Sequence, residues 1–227
     1  MAPDEQVVLP LFPLRTVLVP GLVLPLHIFE PRYRTLVADL LARPEDQQRF
    51  GVVAIREGRE VGPDGAKALY EVGTVAVVDR VDPHADGRFD LMAHGGPRFR
   101  LHSVESGRPY LQGTVSFLDE TDGDRADELA AWVSQRFSDY RAAVLGAGDT
   151  GEQDEGPGLP AEPTLVSYLV GAAMVLDLTE RQALLECPDT SARLRAELRL
   201  LRRETGLIAA VRSLPAPELA RAPITLN

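Results

Sequence analysis

Cysteine, lysine and long apolar runs are nearly or wholly absent from this chain of 227 residues. Cys187 is the only cysteine, so no internal disulfide can form, which is typical of proteins of the reducing cytosol. No apolar run approaches the roughly 20 residues that a membrane-spanning helix needs. The first residues, MAPDEQVV, are acidic, whereas a secretion signal would begin with basic residues. We therefore expect a cytoplasmic protein that does not contact a membrane.

The scarcity of lysine excludes two kinds of chemistry. Lys67 is the only lysine, and it is followed by Ala68. The phosphate loop of a nucleotide-hydrolysing motor has the form GxxxxGK[ST], because its lysine must reach the β- and γ-phosphates. A serine–lysine peptidase dyad would have to use the same lysine, which lies in the glycine-rich sequence GPDGAKALY. We therefore predict that the chain is not an enzyme.

Motifs for cofactors and metals are also weak. The GxGxxG pattern at 146–151 follows a predicted helix and precedes acidic residues, whereas a dinucleotide loop follows a strand and opens a helix. The sequence DPHADG at 82–87 begins like a calcium loop, but Ala93 stands at its twelfth position, where glutamate is required. We therefore interpret DPHADG as a hairpin turn. We expect no cofactor and no metal site, since zinc-ligand spacing is missing among the four histidines, His27, His84, His94 and His102.

The negative charge is concentrated in one part of the chain. Net charge is −10, and residues 119–162 contain twelve acidic residues against three arginines. Within this region, residues 146–163 are rich in glycine and proline and contain no aromatic residue. Such a composition predicts a flexible acidic loop, because it buries too little apolar surface to offset the entropy of ordering. Residues 215–227 form a Pro-rich tail that we also expect to be loose.

The N-terminal half has the pattern of a small β-barrel. From Leu9 to Tyr33, short apolar runs alternate with prolines, which cannot donate to a strand ladder, so we predict edge strands here and a helix from Pro31. Further short strands follow, and Gly95-Gly96-Pro97 is predicted to separate two of them. Six or so short strands with one intervening helix indicate a mostly antiparallel barrel lobe over residues 1–120.

Residues 121–214 have the period of helices. One predicted helical face contains Leu129, Trp132, Val133, Arg136 and Phe137. The segment LVSYLVGAAMVL from Leu165 is apolar nearly all round, which predicts a buried helix. Thr179 to Gln182 has the pattern of a capping box before a short helix. A longer helix follows from Asp189. We therefore predict a helical bundle lobe.

Several motifs resemble one family. The order LPLFPLR, then PG, then LPLHIFEPRY resembles the start of the amino-terminal, substrate-binding (LON) domain of Lon proteases. The resemblance continues through FGVVAI, EVGTVAVV, DGRFDL, GGPRFRL and PYLQGTV, and into Pro163 to Gly171 and Gln182 to Glu186. It implies an α+β fold, in which a PUA-like, mostly antiparallel β pseudo-barrel with one intervening helix is followed by a C-terminal helical bundle. It also implies a free-standing LON-domain protein without the ATPase and protease domains.

The resemblance implies a function in binding. The expected partner is a polypeptide or another protein, in protein quality control, and the oligomeric state is left open. The candidate residues are Glu30, Arg32, Tyr33 and Arg98, which recur in the family's FEPRY and RF motifs. They would form either a recognition surface or a structural site in which Glu30 pairs with an arginine between barrel and helix.

The alternative is an RNA-binding module, because PUA-like barrels often bind RNA. The arginines of the last predicted helix would supply the charge for it: Arg193, Arg195, Arg199, Arg202 and Arg203. The acidic total and the missing lysine-rich stripe oppose this alternative, since phosphate binding is mainly electrostatic. Binding of nucleic acid is therefore not expected.

Overall fold

A computed structural model describes residues 6–58, 66–145 and 158–213. Within these ranges the strands are β1 (Gln6–Leu14), β2 (Val23–Ile28), β3 (Arg49–Gly58), β4 (Ala66–Leu69), β5 (Val72–Pro83), β6 (Phe89–Glu105) and β7 (Gln112–Phe117). The helices are α1 (Pro31–Leu41), α2 (Ala126–Leu145), α3 (Pro163–Ala173), α4 (Leu178–Leu185) and α5 (Thr190–Ser213). Most of the predicted acidic loop, 146–157, and the whole predicted tail, 215–227, lie outside the described residues.

The strands close into a ring. Strands β1, β7, β6, β5 and β3 are neighbours in that order, and β1 returns to pair with β3. The β1–β3 pairing is parallel and the other pairings are antiparallel. Strand β2 pairs with β6, and β4 pairs with β3 as the last strand of the sheet. The predicted α+β architecture, a mostly antiparallel barrel followed by helices, is confirmed.

The prediction that the proline-rich N-terminal stretch forms edge strands is wrong for β1, which pairs with a strand on each side. Its first half, Gln6 to Pro10, pairs with β7, and its second half, Leu11 to Leu14, pairs with β3. Pro10 is matched only with Gln112 and Pro13 only with Val53. Each proline therefore has a partner strand on one side only. A position of this kind tolerates proline, which has no N–H to donate to a second strand.

Strand β6 is also different from the prediction, because it runs unbroken through Gly95-Gly96-Pro97. The glycines let the chain between β1 and β2 approach β6 closely. The Gly21 N–H donates to the Gly95 carbonyl at 2.8 Å, and the Gly95 N–H donates to the Leu22 carbonyl at 2.8 Å. A side chain at Gly95 would lie 2.2 Å from the carbonyl oxygen of Val19, so only glycine fits.

The helices α2, α3 and α5 surround a core of their own. Leu129, Val133 and Phe137 of α2 are buried in it as predicted, whereas Trp132 is half-exposed. Helix α3 is less buried than its composition indicates, because Leu165 and Leu169 face outward. The predicted capping box is wrong by two residues. Asp177 accepts the Glu180 N–H at 2.8 Å, so the box that opens α4 is Asp177–Glu180.

The barrel and the helices meet at a separate apolar cluster. Val72 of β5, Tyr168 of α3 and Leu185 of α4 are its buried members, and Val17, Val19 and Leu118 pack around them. The side chain of Gln182 in α4 donates to the Val72 carbonyl at 2.9 Å. This junction places polar groups of both parts of the chain within reach of one another.

Candidate functional site

A buried polar network lies at the junction of barrel and helices. Arg98 of β6 is almost fully buried, and its guanidinium donates through Nε and Nη2 to the two carboxylate oxygens of Glu120 at 3.0 and 3.2 Å. Its Nη1 donates to the carbonyls of Leu185 and Cys187, each at 2.7 Å. Arg98 therefore ties the barrel to the segment before α2 and to the end of α4.

A second buried arginine completes this network from α5. Nη2 of Arg193 donates to Glu120 Oε1 at 2.9 Å, and Nε donates to the Ser167 hydroxyl at 2.7 Å. The Arg193 guanidinium also lies 3.8 Å from the ring centroid of Tyr168, whose hydroxyl donates to Glu120 Oε2 at 2.6 Å. Glu120 thus accepts hydrogen bonds from the barrel, from α3 and from α5.

The network perturbs the acidity of its members. Burial opposes ionisation of Glu120, but the hydrogen bond from Tyr168 and the charge of Arg193 outweigh burial, so the pKa of Glu120 is lowered. Burial raises the pKa of Tyr168 well above its ordinary value, so Tyr168 remains a hydrogen-bond donor at neutral pH. The network therefore holds one carboxylate between two guanidinium groups.

A cavity of about 200 Å³ adjoins this network. One wall is formed by residues 16–19 and 22–24, which lead into and begin β2, and the other by α3, α4 and the buried face of α5. The lining is mostly apolar, and its members include Val17, Leu18, Leu22, Leu24, Ala172 and Leu184. We call this space the junction cavity.

Two buried polar groups that line the junction cavity lack partners among the described residues. Both carboxyl oxygens of Glu197 and Nη1 of Arg193 have no hydrogen-bond partner there. Gly171 makes room for the carboxyl, since a side chain at this position would lie 3.2 Å from Glu197 Oε1. Burial raises the pKa of Glu197 well above its ordinary value, although the charge of Arg193 acts in the opposite direction. The lining therefore combines apolar walls with two buried residues of α5 that carry polar atoms without partners among the described residues.

The four candidate residues from the sequence do not form one site. Glu30, Arg32 and Tyr33 lie together at the start of α1, where Arg32 pairs with Glu30 at 3.0 Å and stands over the Tyr33 ring. Glu30 and Tyr33 line a second cavity of about 90 Å³, beside the half-exposed Phe29. Arg98 belongs to the junction network instead. Glu30 does pair with an arginine, but the pair is local to the helix start.

The fold also gathers three exposed groups that are distant in sequence. Asp90 of β6 lies between two histidines, with Oδ1 at 2.6 Å from His27 Nδ1 and Oδ2 at 2.7 Å from His84 Nε2. One ligand atom from each of the three residues lies within 4.8 Å of the others. The hairpin turn predicted at 82–87 carries His84, and its hydrogen bonds are those of a tight turn. Spacing along the chain gave no indication of this cluster.

The arginines of α5 are already engaged in several places. Arg193 is buried, Arg195 donates to the Asp124 carbonyl at 3.2 Å, and Arg203 pairs with Glu180 and Glu204. These contacts reduce the exposed positive surface that an RNA would need. As for membranes, none of the helices in the described ranges is long and apolar enough to span one.

Comparison with known proteins agrees with the fold. The model of the ATP-dependent protease La (LON) substrate-binding domain matches residues 8–203. Lon protease 2 of Myxococcus xanthus is 31% identical over 216 residues, which is 90% of this chain and 24% of that protein. Lon protease 2 of Sorangium cellulosum is also 31% identical, over 91% of this chain and 26% of that protein. The chain thus spans about a quarter of the length of these relatives.

Solved structures give the same result. The Lon N-terminal domain protein from Xanthomonas campestris is 25% identical, with a TM-score of 0.62 over 85% of this chain and 98% of that one. The N-terminal domain of Mycobacterium avium complex Lon protease shares the fold at 18% identity, with a TM-score of 0.59. The residues matched by the family model include most of β1, the strands β2 to β7 and most of the helical part. This chain belongs to the LON substrate-binding domain family.

Proposed function

We propose that this chain is a non-enzymatic module that binds a segment of another polypeptide at the junction cavity, in protein quality control. The observation that carries the proposal is a mostly apolar cavity whose lining includes Arg193 and Glu197, two buried residues with side-chain atoms that lack hydrogen-bond partners among the described residues. Family membership supports binding of protein substrates.

The chemistry of a peptide segment is complementary to this cavity. An apolar side chain gains free energy by leaving water for walls such as Leu22 and Leu24. A peptide group carries one N–H donor and one C=O acceptor. The donor suits the Glu197 carboxyl and the acceptor suits Nη1 of Arg193, so both unpartnered groups would be satisfied by one ligand.

Binding is tested with an unfolded polypeptide, fluorescently labelled reduced and carboxymethylated α-lactalbumin, by anisotropy. Ala172→Phe places a ring in the cavity wall, and Val23→Asp places a charge at an exposed residue that lines the cavity. Each variant is expected to weaken binding at least about tenfold, ~1.4 kcal/mol. Val8→Asp is the matched control, because Val8 is a similarly exposed strand residue that does not line the cavity.

Two results would contradict the proposal. One is a parent chain that does not bind the unfolded polypeptide, and the other is undiminished binding by a folded Ala172→Phe variant. A parallel titration with labelled single-stranded RNA across a salt series tests the alternative. Tight RNA binding that weakens steeply with salt would favour the nucleic-acid module.

A further inference from the structure

The geometry points to a surface site for a first-row transition metal ion, Zn²⁺ above all, formed by His27, His84 and Asp90. Each residue offers one ligand atom, and all three atoms lie within 4.8 Å of one another. The cluster is separate from the junction cavity, since none of the three lines it. Metal binding here is independent of the proposed polypeptide binding.

The backbone fixes the three ligands relative to one another. His27 on β2 and Asp90 on β6 are direct partners in the antiparallel register. His84 lies in the hairpin that joins β5 to β6, and its N–H donates to the Arg88 carbonyl at 2.8 Å. The turn is closed by the Gly87 N–H, which donates to the His84 carbonyl at 2.9 Å. A site held by paired strands and a tight turn needs little reorganisation to bind an ion.

The ligand types and distances suit zinc. Two imidazoles and a carboxylate are a common zinc ligand set that leaves one position for water. Tetrahedral coordination at about 2.0–2.1 Å separates ligand atoms by about 3.3 Å. The present separations of 2.6 and 2.7 Å run to different oxygens of Asp90, so coordination through one of these oxygens requires the side chains to rotate. Ca²⁺ and Mg²⁺ are not expected to bind, because both prefer sites built wholly from oxygen atoms.

Charges beside the cluster are partly balanced. Nη1 of Arg88 lies 3.4 Å from His27 Nε2, but Nε of the same guanidinium donates to Asp86 Oδ2 at 2.7 Å. Arg34 packs against the turn at Gly87. Binding requires the proton on each coordinating nitrogen to leave, so a bound metal replaces the hydrogen bonds that now join Asp90 to the two rings.

The chain contains its own control for this site. His94 pairs with Asp79 at 2.7 Å, which reproduces one half of the cluster on a neighbouring part of β5 and β6. His102 lies 2.8 Å from the Ser116 hydroxyl and does not belong to the cluster. A single histidine–carboxylate pair lacks the third ligand, so it is expected to bind Zn²⁺ much more weakly than the cluster.

The experiment is a calorimetric titration of the tag-free, chelator-treated full chain with ZnCl₂. We expect one Zn²⁺ per chain, and at least about tenfold weaker binding in each of His27→Asn, His84→Asn and Asp90→Asn. His94→Asn and Cys187→Ser should bind as the parent does, within twofold. Co²⁺ should give the visible absorption of a four-coordinate site, and CaCl₂ should give no binding heat.

A second measurement locates the ion without relying on the variants. Since the chain has four histidines, proton NMR should show Zn²⁺ shifting the ring resonances of His27 and His84 and leaving those of His94 and His102 in place. The proposal is overturned if the parent binds no Zn²⁺ below about 1 mM. It is also overturned if His84→Asn and Asp90→Asn keep the parent affinity, or if binding is lost in His94→Asn.

Discussion

The Arg98 guanidinium on β6 donates two hydrogen bonds to the Glu120 carboxylate, from Nε to Oε2 at 3.0 Å and from Nη2 to Oε1 at 3.2 Å. Arg98 lies in the barrel, and Glu120 lies in the segment that joins β7 to α2. Nη1 of the same guanidinium donates to two carbonyls near the end of α4. One side chain thus fixes the position of the helices relative to the barrel.

We predict that Arg98→Met lowers the free energy of unfolding by about 3 kcal/mol, because it leaves the Glu120 carboxylate and two carbonyls with fewer donors. Arg98→Lys should recover only part of this loss, since an ammonium cannot form the two-pronged contact. Urea unfolding followed by circular dichroism measures both. Arg100→Met is the control, because its exposed pair with Glu71 is worth at most about 1 kcal/mol. Equal losses in Arg98→Met and Arg100→Met would contradict the prediction.

A second prediction concerns Glu197 and pH. Its folded-state pKa is raised, mainly by burial, above the ordinary value of 4.5. Above that value the unfolded state loses a proton that the folded state keeps, so this residue makes stability fall as pH rises. Below it both states are protonated and the effect disappears. Glu197→Gln removes the titration, so we expect the stability of the variant relative to the parent to increase from pH 4 to pH 8.

Urea unfolding at half-unit pH steps tests this expectation. Glu105→Gln, which makes the same change at an exposed position of the barrel, is the matched control. A stability difference between Glu197→Gln and parent that stays constant with pH would show that Glu197 is ionised in the folded chain. The prediction is tested by the sign of the change with pH in the stability difference between Glu197→Gln and parent, and not by the absolute stability of either protein.

Local features of the fold could be predicted from the sequence. Pro31 begins α1 because proline at the first helical position loses no hydrogen bond, and that preference acts over a few residues. The two-sided pairing of β1 could not be predicted in this way. It depends on β3 and β7, which meet β1 only after the barrel has closed. Gly95 likewise predicts a strand break from sequence alone. In the fold it is a strand residue that the chain from Val19 to Leu22 approaches closely.

The candidate site was less predictable than the fold. The family motif predicts a role for Arg98, but its partners, Glu120 and the carbonyl of Leu185 in α4, lie 22 and 87 residues away in the sequence. Arg193, Glu197 and Leu201 recur at every fourth position along α5, on its buried face. That spacing is the one indication by which the buried ionic groups could have been found, and the many arginines of the helix obscured it.

A third prediction concerns close packing inside the barrel. A side chain at Gly73 of β5 would lie 2.4 Å from the Val52 carbonyl oxygen and 2.6 Å from Phe99 Cζ. Because the carbonyl belongs to the paired strand β3, it cannot move without disturbing the ladder. We expect Gly73→Ala to destabilise the chain by about 1–3 kcal/mol.

Gly107→Ala is the matched control for this substitution, because nothing lies within 4 Å of the added group. It should keep the parent stability or increase it slightly, since alanine restricts the unfolded chain. Thermal unfolding of both variants measures the difference. A Gly73→Ala variant as stable as Gly107→Ala would mean that β3 and β5 are not packed as described.

The last prediction defines how much of the acidic segment the fold needs. Composition predicts a flexible loop over residues 146–163, but part of that segment contacts the helical core. Leu159 packs against this core, and Pro163 begins α3. We therefore predict that residues 146–157 can be replaced by an equally long Gly-Ser linker with a change in Tm of at most about 2 °C. Leu159→Ala should lower Tm by about 3 °C, because it removes apolar contact from the core. Calorimetry of both variants tests the boundary, and a linker variant that loses more stability than Leu159→Ala would place an essential contact within 146–157.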